Sequence, residues 1–149
     1  MITNKEQKII EAGMKILEQS IKLQGLEANC VSAVIKFCQL KLASMGSEAV
    51  GVLFLDTQHR LIEYKTLFKG GHSQCDVYPR EIAREALLLN ASAIILTHNH
   101  PSGHCEPSHA DKDITKVLIE ALGLFDIRIL DHIIVGGGNS LSFANEGLI

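Results

Sequence analysis

The sequence predicts an α/β fold in which helices cover a mixed β-sheet, preceded by a helical segment. Three observations carry this expectation. Residues 1–46 repeat apolar side chains at helical spacing and contain no strand-like run. From Glu48 onward, short apolar and β-branched runs alternate with helical stretches, the pattern of a layered domain. Between them stand Gly, Pro and capping residues, with no repeat, low-complexity tract or linker. A chain of 149 residues fits one domain, so residues 1–46 are expected to pack as part of the same unit as residues 47–149.

In chain order, a first helix is expected over residues 4–23, where Ile10, Met14, Leu17 and Ile21 share one face. Asn4 is its expected N-cap and Gly25 its stop. A second helix is expected from about residue 29 to 44, ending near Gly46. The run A-V-G-V-L-F-L, residues 49–55, is continuously apolar, as in a strand covered on both faces. T-Q-H-R turns the chain into a second strand, L-I-E-Y-K-T-L-F, which Gly70 and Gly71 end. Pro79 suits a first helical position, and its helix is expected to reach about Asn90. S-A-I-I-L-T forms a short strand that empties into the loop H-N-H-P. A helix from Ser108 to about Leu122 leads to the strand D-I-R-I-L-D-H-I-I-V, and Gly136, Gly137 and Gly138 turn it into S-L-S-F.

Composition narrows the function. Apolar residues make up 46% and charged residues 21%, which supports a packed core and argues against disorder. A net charge of −3, with Lys and Arg scattered, gives no electrostatic case for wrapping nucleic acid. The start M-I-T-N-K-E-Q-K lacks the apolar core of a signal peptide, and no apolar run is long enough to cross a bilayer. A cytoplasmic location with no membrane partner is therefore expected. Cys30, Cys38, Cys75 and Cys105 show neither C-x-x-C spacing nor the density of a disulfide scaffold. Cys30 and Cys38 are expected to be buried thiols. The apolar content and the helical segment permit a homodimer.

The chemistry concentrates in T-H-N-H-P-S-G-H-C-E-P-S-H-A-D, residues 97–111. His98, His100 and Asp111 offer two imidazoles and a carboxylate, a donor set that suits Zn²⁺ and leaves a fourth position for water. Zinc brings such a water's pKa to roughly 7, which points to a hydrolase. Ser108 and Asp111 also read as a capping arrangement ahead of a helical run, with the acid favoured by the helix dipole. The two readings are compatible, because a helix's first turn fixes where its side chains point. Other polar residues read as structural. His104 and His109 are expected at the surface, Glu81 and Glu85 on an exposed helix, and Asp131 and His132 as a buried hydrogen-bonded pair, with support for a metal ligand as the alternative. Cys105 beside His104 does not make a nucleophile and base, since adjacent residues rarely orient as such a pair.

The string H-x-H-P-x₆-S-x₂-D, met here at His98, His100, Pro101, Ser108 and Asp111, resembles the signature of the JAMM (MPN+) metalloproteases. L-F-L-D in the first strand, P-R-E in the helix, H-N-H-P-S-G and P-S-x-A-D in the loop, and D-H-I-I-V-G near the end together resemble the RadC family. That resemblance runs from about Glu48 to Ile149. The short helical segment ahead of it is similar to the compact prophage-type members, whereas longer members carry a helix-hairpin-helix segment that these residues do not show. The resemblance implies a JAMM/MPN-like fold with Zn²⁺ held by His98, His100 and Asp111. It further implies that Ser108 holds the water or stabilises an oxyanion and that Glu48 acts as general base. A carboxylate entering an apolar sheet is costly without a partner, and water at the metal is such a partner. The implied activity is zinc-dependent hydrolysis of a peptide or isopeptide bond in a peptide or protein substrate. Two alternatives are a factor associated with DNA repair or recombination and a non-catalytic interaction module on the same fold. Intact ligands together with Glu48 and Ser108 favour catalysis, and the charge balance disfavours DNA.

Overall fold

A computed structural model describes residues 2–24, 31–42, 45–71 and 75–149. Two helices come first, α1 (Asn4–Gln24) and α2 (Val31–Leu42). Thr3, rather than Asn4, caps α1. Its Oγ1 accepts from the Glu6 N–H at 3.3 Å, and the Glu6 carboxylate accepts from the Thr3 N–H at 2.7 Å. Threonine followed three residues later by glutamate is itself a capping box, which places the cap one residue earlier than expected. Gly25, the expected stop, and Cys30 lie outside the described residues, while Cys38 is fully buried.

Five strands follow: β1 (Ala49–Leu55), β2 (Leu61–Lys69), β3 (Ala93–Asn99), β4 (Arg128–Gly136) and β5 (Asn139–Ser142). They form the expected mixed sheet in the order β2-β1-β3-β4-β5. β1 is antiparallel to both β2 and β3, β3 is parallel to β4, and β4 is antiparallel to β5. A parallel pair needs a long crossover, and α4 (His109–Gly123) supplies it between β3 and β4. The other helix, α3 (Pro79–Leu88), opens at Pro79 as the sequence suggests. It stops short of Asn90, which adopts φ +53° in the turn that follows. β4 likewise starts two residues late, because Asp126 turns the chain at φ +57°.

Alternation along each strand sends side chains to two cores. Val50, Val52, Phe54, Ile94 and Leu96 pack with Ile82, Ala86, Leu118 and Leu122 under α3 and α4. Leu53, Leu55, Ile95, Ile133 and Val135 pack with Ile21, Val34, Phe37 and Cys38 under α1 and α2. Both faces are covered, which is why every residue of β1 and β3 is buried. β3 also runs further than expected. His98 and Asn99 belong to the strand rather than to the loop, with His98 between Val50 of β1 and Ile134 of β4. Their side chains therefore leave on opposite faces, His98 toward α3 and α4, Asn99 toward α1 and α2. No helix among the described residues is long and apolar enough to cross a membrane.

Candidate metal centre

Four pieces of chain meet at the C-terminal end of β3. That strand delivers His98 from its own pleat. The chain then turns over His100, Pro101, Ser102 and Gly103, closed by the Gly103 N–H donating to the His100 carbonyl at 3.0 Å, with Gly103 at φ +85°. The His100 N–H donates to the Val135 carbonyl at 2.8 Å, which pins the turn to the end of β4. Gly136 makes this approach possible: a Cβ there would stand 2.9 Å from the backbone of Gly103 and His104. Next, α4 presents Asp111 from its first turn through a complete capping box. Ser108 Oγ accepts from the Asp111 N–H at 3.1 Å, and Asp111 Oδ2 accepts from the Ser108 N–H at 2.7 Å. Glu48 stands immediately ahead of β1, its N–H donating to the Gly71 carbonyl at 3.1 Å.

One ligand atom from each of Glu48, His98, His100 and Asp111 lies within 4.8 Å of all the others. His98 Nε2 is 2.9 Å from His100 Nε2 and 3.2 Å from Asp111 Oδ1, and His100 Nε2 is 3.3 Å from Asp111 Oδ2. Glu48 Oε1 is the outlier, 4.0 Å from His98 Nε2. Two imidazole nitrogens and a carboxylate aimed at one point fit a divalent transition metal such as zinc better than an all-oxygen cation such as calcium. A cleft of about 130 Å³ opens over this point, walled by Val50, Cys75, Val77, Ala110 and Ile114. Ser108 is not part of that wall. It is exposed at the helix terminus, where its oxygen serves as the cap.

The electrostatics follow from the same contacts. Burial works to raise the Asp111 carboxyl, but hydrogen bonds from His100 and His98 override it and hold the group well below the usual carboxylate range. The hydrogen bond to Asp111 raises His100 in turn, against its burial, helped by the His104 carbonyl. That carbonyl accepts from His100 Nδ1 at 2.8 Å and so turns Nε2 toward the cluster.

Several neighbours differ from their sequence-based reading. Asp131 and His132 do not pair through their side chains, because adjacent strand residues face opposite ways. Asp131 Oδ1 accepts from the backbone N–H groups of His132 and Ala144, and Oδ2 accepts from Ser142 Oγ. His132 points to the other face and touches His98 and Thr115. Burial drives its imidazole well below the ordinary histidine range. Asn99 was not singled out by the sequence. Its Oδ1 accepts from the Ala49 N–H at 2.8 Å, while Nδ2 donates to the Ser47 carbonyl at 3.1 Å and the Met45 carbonyl at 3.4 Å. It therefore clamps the segment that carries Glu48 onto β3. Support of a metal ligand, the alternative reading for Asp131 and His132, fits His132, and strand alternation is the signal that separates it from Asp131 and Asn99 from His98.

The remaining candidates stay outside the cluster. His104 and His109 are exposed. Glu81 faces Arg84 at 3.7 Å. Glu85 is less exposed than expected, because it forms a 2.6 Å ion pair with Lys65. Cys105 donates to the Gly136 carbonyl at 3.7 Å, and burial raises its thiol, which removes nucleophilic character.

Comparison with known proteins agrees with this geometry. The family model for the RadC-like JAB domain matches residues 28–148. A UPF0758 protein of Methylibium petroleiphilum is 54% identical over 117 residues, which is 78% of this chain and 53% of that protein. A UPF0758 protein of Vibrio cholerae is 48% identical over 142 residues, covering 95% of this chain and 89% of the relative. UPF0758 protein YkfG of Escherichia coli K12 is 40% identical over 148 residues, covering 99% and 94%. The chain thus spans about half the length of some curated relatives and nearly all of others.

Proposed function

The chain belongs to the family of RadC-like JAB domains, and from that premise we propose that it is a zinc-dependent metallopeptidase acting on a peptide or isopeptide bond. The observation that carries the reading is the convergence of His98, His100, Asp111 and Glu48 within 4.8 Å, beside a solvent-open cleft that Glu48, His98 and Asp111 line. His98, His100 and Asp111 would hold the metal. A bound zinc supplies Lewis-acid polarisation of the scissile carbonyl and lowers the pKa of water in its coordination sphere to roughly 7.

The chain's own groups do the rest. Glu48 lies at the edge of the cluster with its side chain only 12% exposed, placed to take a proton from the attacking water and return it to the leaving amine nitrogen. General-base assistance of this type is worth roughly 10²–10⁴ in rate. Ser108 stands outside the cleft wall, but it uses its oxygen, not its proton, in the capping box, which leaves its hydroxyl proton available to a developing oxyanion. Such a donor is typically worth about 10²–10³. The proposal carries a cytoplasmic location with it, and a protein substrate rather than nucleic acid, given the net charge of −3.

The test has two parts. Purified protein should hold one zinc per chain by elemental analysis, and His98→Ala should lose it. Glu48→Gln should keep the zinc but abolish the cleavage products seen with wild type in a terminal-peptide survey of cell protein. Absence of stoichiometric zinc in wild type would refute the proposal. Identical product profiles for wild type and Glu48→Gln would leave a metal-binding module without protease activity.

A further inference from the structure

From the Nδ1 edge of His98, the polar groups on the α4 face of the sheet form a single file, and its second member, His132, also reaches the cleft lining. His98 Nδ1 lies 2.7 Å from His132 Nε2, His132 Nδ1 lies 2.7 Å from Thr115 Oγ1, and Thr115 Oγ1 lies 2.7 Å from the backbone carbonyl oxygen of Asp111. The direction of every bond can be assigned from the last one. A carbonyl only accepts, so the single hydroxyl proton of Thr115 points at Asp111 and the hydroxyl oxygen must accept from His132. His132 therefore carries its proton on Nδ1. The ring is 1% exposed, and among the described residues no carboxylate contacts either ring nitrogen. A second proton would leave a buried cation without a counter-charge. Its Nε2 is thus an acceptor and His98 donates from Nδ1, which leaves His98 Nε2 as the nitrogen whose lone pair a cation would take. That nitrogen is the one facing His100 and Asp111.

We propose that His132 and Thr115 are positioning residues that fix the tautomer and ring plane of His98 for a divalent cation. This rests on the reading of the cluster as a metal centre. Phe143 holds the middle of the relay, its ring 4.4 Å from the His132 ring and tilted by 30°. The relay ends on the main chain of Asp111, so one ligand is oriented through hydrogen bonds anchored at another. His100 reaches the same tautomer by a shorter route, through the His104 carbonyl. The two ligands are thereby set independently, one by buried side chains and one by a surface loop.

Partners that orient a ligating histidine typically change metal affinity by about 10–100-fold when removed. Thr115→Val keeps the shape of the side chain but takes away the acceptor of the His132 proton. It should weaken zinc binding by about 10-fold or more, measured by competition with a chromophoric chelator. Thr115→Ser restores the hydroxyl and should bring affinity back toward wild type. His132→Gln can accept from His98 and donate to Thr115 and should retain more affinity than His132→Phe. Melting curves of the metal-free variants check that each one folds.

Long-range ¹H–¹⁵N correlation of the histidine rings in metal-free wild type reads the tautomer without any metal. His132 protonated on Nδ1 alone is the expected result, and His132 protonated on Nε2 overturns the inference. Wild type that binds zinc with unchanged affinity in both Thr115→Val and His132→Phe also overturns it, while leaving the metal centre standing. Wild type that binds no zinc overturns the metal centre and this assignment together, even if the tautomer is as stated.

Discussion

Replacing Asn99 by leucine should separate the architecture of the site from its chemistry. Asn99 is 3% exposed and sits on the face opposite to His98, so leucine, which has the same branching and is somewhat bulkier, removes the polar groups without touching a ligand. The Ala49 N–H, on a residue that is fully buried, loses its acceptor. An orphaned buried donor costs about 1–3 kcal/mol. The carbonyls of Ser47 and Met45 also lose their donor, but they lie in a more open segment where water substitutes, adding about 0.5 kcal/mol. A total of about 1.5–3.5 kcal/mol should lower the midpoint of thermal unfolding by roughly 3–14 °C for a domain of this size. Urea denaturation of metal-free protein measures the free energy directly. Asn99→Asp should be no milder, since it keeps the acceptor for Ala49 but sets an anionic oxygen against the Ser47 carbonyl, which the amide nitrogen now meets at 3.1 Å. A loss under about 1 kcal/mol in Asn99→Leu would show that the bonds to residues 45–49 are replaceable, and the account of how Glu48 is held would fall.

Three further outcomes are expected. Ser108→Ala removes the side-chain acceptor for the Asp111 N–H and should cost about 1 kcal/mol, whereas Ser108→Thr keeps both the cap and the hydroxyl; chemical denaturation distinguishes the two. Gly136→Ala forces the backbone of Gly103 and His104 away from β4. It should weaken zinc binding in a chelator competition through the displaced His104 carbonyl, with little change in secondary structure by circular dichroism. In metal-free protein, the raised His100 contributes stability below the unfolded histidine value near 6.5, lost as pH rises through its folded value. The depressed Asp111 contributes stability above the unfolded carboxyl value near 3.9, lost as pH falls toward its folded value. The pair should therefore add most between about pH 4 and 6.5, and His100→Gln should flatten that profile in urea melts made with chelator present.

Much of this was readable from the residues because local chemistry and tertiary placement agree. Pro79 starts a helix where its missing N–H costs nothing. Ser108 caps α4 just as its spacing to Asp111 suggests, and continuous apolar runs became strands covered on both faces. What escaped has physical causes. β3 extends through His98 and Asn99 because pairing on both sides holds them in the ladder, although neither residue favours strands on its own. The side chains of Asp131 and His132 leave on opposite faces, since a strand's alternation outweighs adjacency, and only the His132 backbone N–H reaches the Asp131 carboxylate. Asn99 and Thr115 carry no local mark of their task. The partners that define those tasks, Ala49 on β1 and His132 on β4, are distant in sequence, and only the fold brings them near.

Asp111 belongs to two structures at once. One carboxylate oxygen ties off the start of α4 while both oxygens look toward the imidazoles. A lineage that gave up chemistry could exchange His100 or Glu48 at small cost to the scaffold. The acid would be harder to discard, because the crossover helix needs it at its first turn whether or not any ion is ever bound. Decay of such a centre should thus run in a fixed sequence, with the surface imidazole erased early and the aspartate surviving as a relic.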